Sequence, residues 1–183
     1  ILSYKSGILK ELLLPIMKVI KSTPVASFII LSLIWIKAKN ISIFISYLMV
    51  LPIVYSNVYQ GIIGADHKLL EMAKVFEIGG WKRIKAIYLP SVMPYFITAV
   101  SVGIGFCWKA GIAAEVIALS SGTIGKHLYE AKLYFMTNEL FAWTVVIILV
   151  SVIFEKAIMY LLKPLQHTPG ITINNMEKLS GRE

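Results

Sequence analysis

"ISIFISYLMVLPIVYSNVY" occupies residues 41–59 and holds no charged side chain. Crossing the hydrocarbon core of a bilayer takes roughly 20 apolar residues in a helix, so this stretch reads as a membrane span, with Pro52 a kink that neighbouring helices satisfy. The rest of the chain is of the same kind. Of its 183 residues 57% are hydrophobic and 15% charged, with a mean hydropathy of +0.76, where a soluble domain carries about 45–50% apolar and about 25% charged residues. The length fits one domain.

Working outward, residues 92–118 and 141–162 form two more spans, the first rich in Gly and Ala, the second interrupted only by Glu155 and Lys156. A shorter run, "PVASFIILSLIWI" at residues 24–36, reads as part of a fourth span over about 24–38. The stretch before it carries Lys10, Lys18 and Lys21 and reads as an interfacial amphipathic segment. The fold class expected is all-α, a polytopic transmembrane helical bundle. Residues 164–183 lose apolar periodicity and hold Pro, Gly and Asn, which predicts a flexible tail. The chain opens on Ile1 rather than Met, from which further chain before it is expected.

The formal charge of +8 would point to nucleic acid on a soluble protein, but here the basic residues cluster at the ends of apolar runs, so no nucleic-acid partner is expected. Lys68, Lys74, Lys82, Arg83 and Lys85 lie between residues 60 and 91, and Lys163, Lys178 and Arg182 follow the last span, while the alternate loops hold only Lys37, Lys39, Lys126 and Lys132. The positive-inside rule then makes the 60–91 loop and the carboxyl tail cytoplasmic. The single cysteine, Cys107, admits no disulfide framework.

The 60–91 loop is the informative one. In "KLLEMAKVFE" residues Leu69, Leu70, Ala73 and Phe76 fall close to one helical face, with Lys68, Glu71 and Lys74 on the polar side. "IGGWKRIKAIYLP" supplies a glycine pair, then an apolar-basic helix with Trp81, Ile84 and Ile87, and a proline where the next span begins. The pattern predicts two short helices standing on the membrane surface, whose amphipathic faces argue for a docking surface over an ordinary solvated loop.

These residues resemble the cytoplasmic loop of the permease subunits of bacterial ATP-binding-cassette importers, whose signature is E-A-A, three residues, G, nine residues, I-x-L-P. Glu71 and Ala73 match, and Ile87, Leu89 and Pro90 follow at the same spacing. Trp81 and the basic pair after it are similar to a common form of the motif. Met72 replaces the first alanine and Glu77 stands where the glycine belongs, so Gly79 and Gly80 are expected to make the bend. "IKSTPVASFIILSLIW" is similar to the family's Pro-x-Ala segment, and "FCWKAGIAAEVIA" resembles the branch that imports sulfonates, taurine, nitrate, bicarbonate or thiamine precursors.

The resemblance implies a bundle of the type I importer permease kind, lacking its first one or two helices, in a bacterial inner membrane. It implies a separate ATPase subunit held by the coupling loop, with Glu71 setting register and Lys74, Lys82 and Arg83 on the rim, a second permease copy, and an extracytoplasmic solute-binding protein. A small anionic or organic solute is the implied substrate.

No G-x-x-x-x-G-K-[ST] phosphate loop occurs, so ATP hydrolysis is not expected in this chain, and no cofactor is expected. His67, His127 and His167 are scattered and form no metal-ligand cluster. In the third span Ala99, Gly103, Cys107, Gly111 and Glu115 recur at i, i+4 as a small-residue stripe suited to close helix packing. A charge at mid-span costs about 2.5–3.5 kcal/mol on insertion scales. Lys109 and Glu115 are therefore the candidate translocation-path residues, Lys109 attracting an anion or pairing with another helix. Six residues apart, they stand about 120° apart on the helix and do not pair with each other. Glu155 and Lys156 read as an ion pair or interfacial anchor. The alternative is a gradient-driven transporter or channel using Lys109 and Glu115 as its ion pathway.

Overall fold

In the computed structural model the described residues are 7–166, and among them there are helices and no strands. In chain order they are α1 (Gly7–Ser22), α2 (Val25–Ser32), α3 (Ala38–Ile63), α4 (His67–Val75), α5 (Gly80–Arg83), a π-helical turn (Ile84–Tyr88), α6 (Leu89–Ala118), α7 (Ile124–Leu133) and α8 (Thr137–Gln166). α8 runs three residues into the segment read as a tail, and the remainder of that segment lies outside the described residues.

Among the described residues three helical stretches are long and apolar enough to cross a membrane: Ala38–Ile63, Gly80–Ala118 and Thr137–Lys163. The chain is an integral membrane protein. The first apolar run behaves differently from a simple span. Its helix α2 has only 8 residues, about 12 Å at ~1.5 Å per residue, and meets the preceding helix at a bend of 102°. Pro24 stands immediately before α2, with φ −58° and ψ 133°. The pair counts as a fourth span only if the two bent pieces are taken together.

The core lies where α2, α3 and α6 meet. Ile29, Ile41, Ile45, Ala110 and Ala114 form one buried cluster. The α3–α6 seam is close because the small-residue stripe faces it. A Cβ on Gly111 would stand 2.9 Å from Ser46 Oγ and 3.0 Å from Ser42 Oγ, and one on Gly103 would stand 3.2 Å from a Val50 methyl. Ser46 donates to the Cys107 carbonyl at 2.9 Å, a bond that small neighbours allow.

Pro90 was read as the start of a span, yet the helix runs through it from Gly80 to Ala118, 39 residues. A helical proline lacks a donor and its ring crowds the carbonyl four residues back, here that of Ala86. The π turn directly before it relieves this, since the Leu89 amide reaches the Ile84 carbonyl five residues back. The charged residues 82–85 are thus the first turns of the longest helix.

Candidate functional site: a helical module at one end and a cavity at the other

α3 and α6 are joined at one end by residues 64–88, which fold into a module with a small core of its own. Asp66 caps α4, its carboxylate accepting from the Lys68 amide at 2.9 Å. Ala65, Ala73 and Ile87 are buried, with Leu69, Leu70, Ile78, Ala86 and Tyr88 packed around them. Leu69, Leu70, Ala73 and Ile87 thus lie where their periodicity put them.

The bend between α4 and α5 does not fall on the glycine pair. Gly79 has φ −55° and caps α5, which Gly80 begins, whereas Glu77 itself takes the left-handed conformation at φ 48°. The Ile78 amide donates to the Ala73 carbonyl at 2.9 Å and the Glu77 amide to the Lys74 carbonyl at 3.2 Å. This is a Schellman closure with Glu77 at the position that favours glycine. The glycine of the resembling loop signature sits at this same place, so its duty stays at residue 77.

The closure also decides what is buried. Ile78 folds back onto Ala73, and Phe76 is turned out. Val75, Phe76 and Trp81 are 78%, 71% and 79% exposed while Ala73 is buried, so Phe76 leaves the face on which it was expected with Leu69, Leu70 and Ala73. Lys68, Glu71, Lys74, Lys82 and Lys85, on the same two short helices and the π turn, are exposed as well. Glu71 lies 3.3 Å from His67 Nδ1, one turn back on the exposed face. Leu89 is part-exposed and Pro90 half-buried where α6 begins.

Arg83 was placed on the rim, but it is half-buried and reaches inward. Its Nη2 donates to the Ile78 carbonyl at 3.3 Å and the Ala73 carbonyl at 3.5 Å. A cation on the carbonyl end of α4 is favourable, and the contact fastens α4 to the helix that continues into α6. No periodicity signals such a contact; a basic residue seven positions beyond the α4 C-cap Phe76 was the only hint.

At the opposite end a cavity of about 710 Å³ opens between α3, α6 and the turn before α7. Ser42, Ser46, Tyr47, Trp108, Gly111 and Glu115 are among its lining residues. Glu115 Oε2 accepts from the Gly125 amide at 3.2 Å, in the first turn of α7. Negative charge is stabilised at a helix N-terminus, where amides point outward unpaired. A Cβ on Gly125 would collide with Glu115 Cβ and the Val116 nitrogen, so glycine is what permits the approach. On its far side α7 is tied to α8 by His127, whose ring stacks on Trp143 at 4.7 Å and 5°.

Of the two candidate path residues, Glu115 lines this cavity and Lys109 is not among its lining residues. Lys109 is exposed on another face of α6. Glu155 and Lys156 are exposed on α8, and neither makes an ion pair among the described residues. The described residues hold no group of His, Cys, Asp and Glu able to bind a metal.

The sequence is similar to a family described as binding-protein-dependent transport system inner membrane component, which matches residues 1–166. A putative aliphatic sulfonates transport permease of Bacillus subtilis is 32% identical over 98 residues, 54% of this chain and 35% of that protein. A bicarbonate transport system permease of Synechocystis is 25% identical over 122 residues, 67% of this chain and 44% of that protein. A nitrate import permease of Synechococcus elongatus is 26% identical over 118 residues, 64% of this chain and 42% of that protein. The chain therefore spans less than half the length of these relatives. With a match across residues 1–166 and an all-helical membrane architecture, the chain belongs to the family of binding-protein-dependent transport system inner membrane components.

Proposed function

We propose that this chain is the membrane-spanning permease part of an ATP-driven solute importer, with residues 64–88 receiving a separate ATPase subunit. One observation carries the reading: a helical module joining α3 and α6 presents Val75, Phe76 and Trp81 to water together with exposed Lys68, Glu71, Lys74, Lys82 and Lys85. Exposed aromatic residues with a charged rim are the anatomy of a docking face. Glu71, free on the rim apart from His67, sets register against a basic group of the ATPase.

The lysines of this module favour the cytoplasmic side of the cell membrane for it and for the carboxyl tail, by the positive-inside rule. The permease acts as a pair of copies and receives solute from an extracytoplasmic binding protein at the Glu115 end. Small anions or organic solutes are the substrate class, in line with the sulfonate, bicarbonate and nitrate named for the relatives; taurine and thiamine precursors belong to the same range. Lys109 and Glu115 do not share a cavity, which counts against a gradient-driven ion pathway built from the two.

The test is Glu71→Lys in the full-length protein. Membrane insertion persists, ATPase association in a pull-down falls, and uptake is lost. Full ATPase binding by this variant overturns the coupling assignment, and uptake that continues without any ATPase overturns the importer reading.

A further inference from the structure

Lys109 and Glu155 each follow directly on one of two rings that stack between α6 and α8, and no ion pair joins them. The Trp108 and Phe154 rings stack at 5.8 Å, which fixes the level at which α6 and α8 meet. The two helices are antiparallel and right-handed. Stepping one residue along each, from 108 to 109 and from 154 to 155, turns both side chains by about 100° toward the same side of the plane through the two axes. Because the steps run in opposite directions, the two residues end about 3 Å apart in depth at ~1.5 Å per step. Lys156, a further step on, turns away from this face.

The same wheel places Thr98, Val102 and Gly105 on this face of α6, and Thr144, Ile148 and Ser151 on that of α8. Thr98, Val102, Thr144 and Ile148 are exposed, and a Cβ on Gly105 would meet nothing within 4 Å. Small and hydroxyl-bearing residues flanking an acid and a base are the composition of a helix–helix contact in a membrane, where an unpaired charge facing lipid is costly.

A twofold axis along the membrane normal keeps every residue at its own depth and sets residue i against j and j against i. Opposite charges on one face at one depth therefore make that face complementary to itself. We propose that it is the seam with a second copy of this chain, in which Lys109 pairs with Glu155 of the partner subunit and the reciprocal pair follows by symmetry. The inference rests on the paired-permease reading above and names the surface that the pairing uses.

The test uses full-length protein in native membranes, with Cys107→Ala as background. Lys109→Cys on one tagged copy and Glu155→Cys on a differently tagged copy are co-expressed and oxidised. The expected result is a reducible two-tag dimer. Its absence while both positions label with a membrane-permeant maleimide overturns the seam, as does a disulfide formed only when both substitutions sit on one chain, or one to another segment of the same chain.

As a second measurement, Lys109→Glu or Glu155→Lys alone lowers co-purification of the two tags about tenfold, and the double reversal restores it. A double variant no better than the singles overturns the pairing. Cysteine-bearing copies that bind ATPase but give no cross-link remove the seam and leave the importer reading standing. A cross-link in a protein that binds no ATPase does the reverse.

Discussion

The Glu115 carboxylate and the Gly125 amide meet at 3.2 Å, across the turn that reverses the chain between α6 and α7. The acid closes the last turn of one helix and neutralises the first turn of the next. Gly125→Ala forces its methyl into Glu115 Cβ and is expected to cost about 1–3 kcal/mol, as overpacking does. Glu115→Gln keeps the shape and loses the charge, so its cost is smaller, about 1 kcal/mol. Thermal unfolding of the detergent-solubilised protein ranks the two, and the reverse order contradicts this account.

Glu77 holds a backbone conformation that costs a side-chain-bearing residue about 1 kcal/mol relative to glycine. Glu77→Gly is expected to stabilise the module by about that amount. The gain shows as slower amide exchange at Ile78, whose bond to Ala73 closes the turn. Glu77→Val, β-branched, is expected to speed exchange at the same amide.

Arg83→Gln removes the guanidinium from the Ala73 and Ile78 carbonyls and frees α4 from the base of the long helix. Limited proteolysis is expected to cut between residues 76 and 80 sooner, with helix content unchanged. Arg83→Lys, which keeps the charge but not the fork, falls between the two.

Trp81→Ala takes the largest exposed side chain from the patch without touching the module's core. ATPase association is expected to weaken at least about tenfold, more than 1 kcal/mol in hot-spot terms. Membrane yield and proteolysis of the loop stay at wild-type levels. A variant that loses association only because the loop is degraded contradicts the docking role.

Residues 41–59 were legible because lipid imposes one simple rule, and their helix extends to Ala38–Ile63. The stripe from Ala99 to Glu115 was legible for a related reason: close helix contact in lipid favours small side chains, and a period of four reveals it. The module was half legible. Leu69, Leu70 and Ala73 share a packed face as periodicity predicts, but Phe76 leaves it, since the turn at Glu77 redirects the chain and one residue's φ cannot be read from a local pattern. Arg83 escaped because its partners are backbone carbonyls, which every residue carries. The continuity of α6 through Pro90 escaped because a π turn leaves no composition of its own.

That continuity bears on stiffness. From Trp81 to Glu115 the helix runs on for 35 residues, about 50 Å at ~1.5 Å per residue. A rod of that length needs no loop to carry displacement from one membrane face to the other. Its compliance is concentrated in the π turn at Ile84–Tyr88, the one place where its regular ladder is widened. A tilt imposed at the Trp81 end therefore divides between bending there and swinging the Glu115 end, and the stiffness of five residues sets the gearing between the two faces.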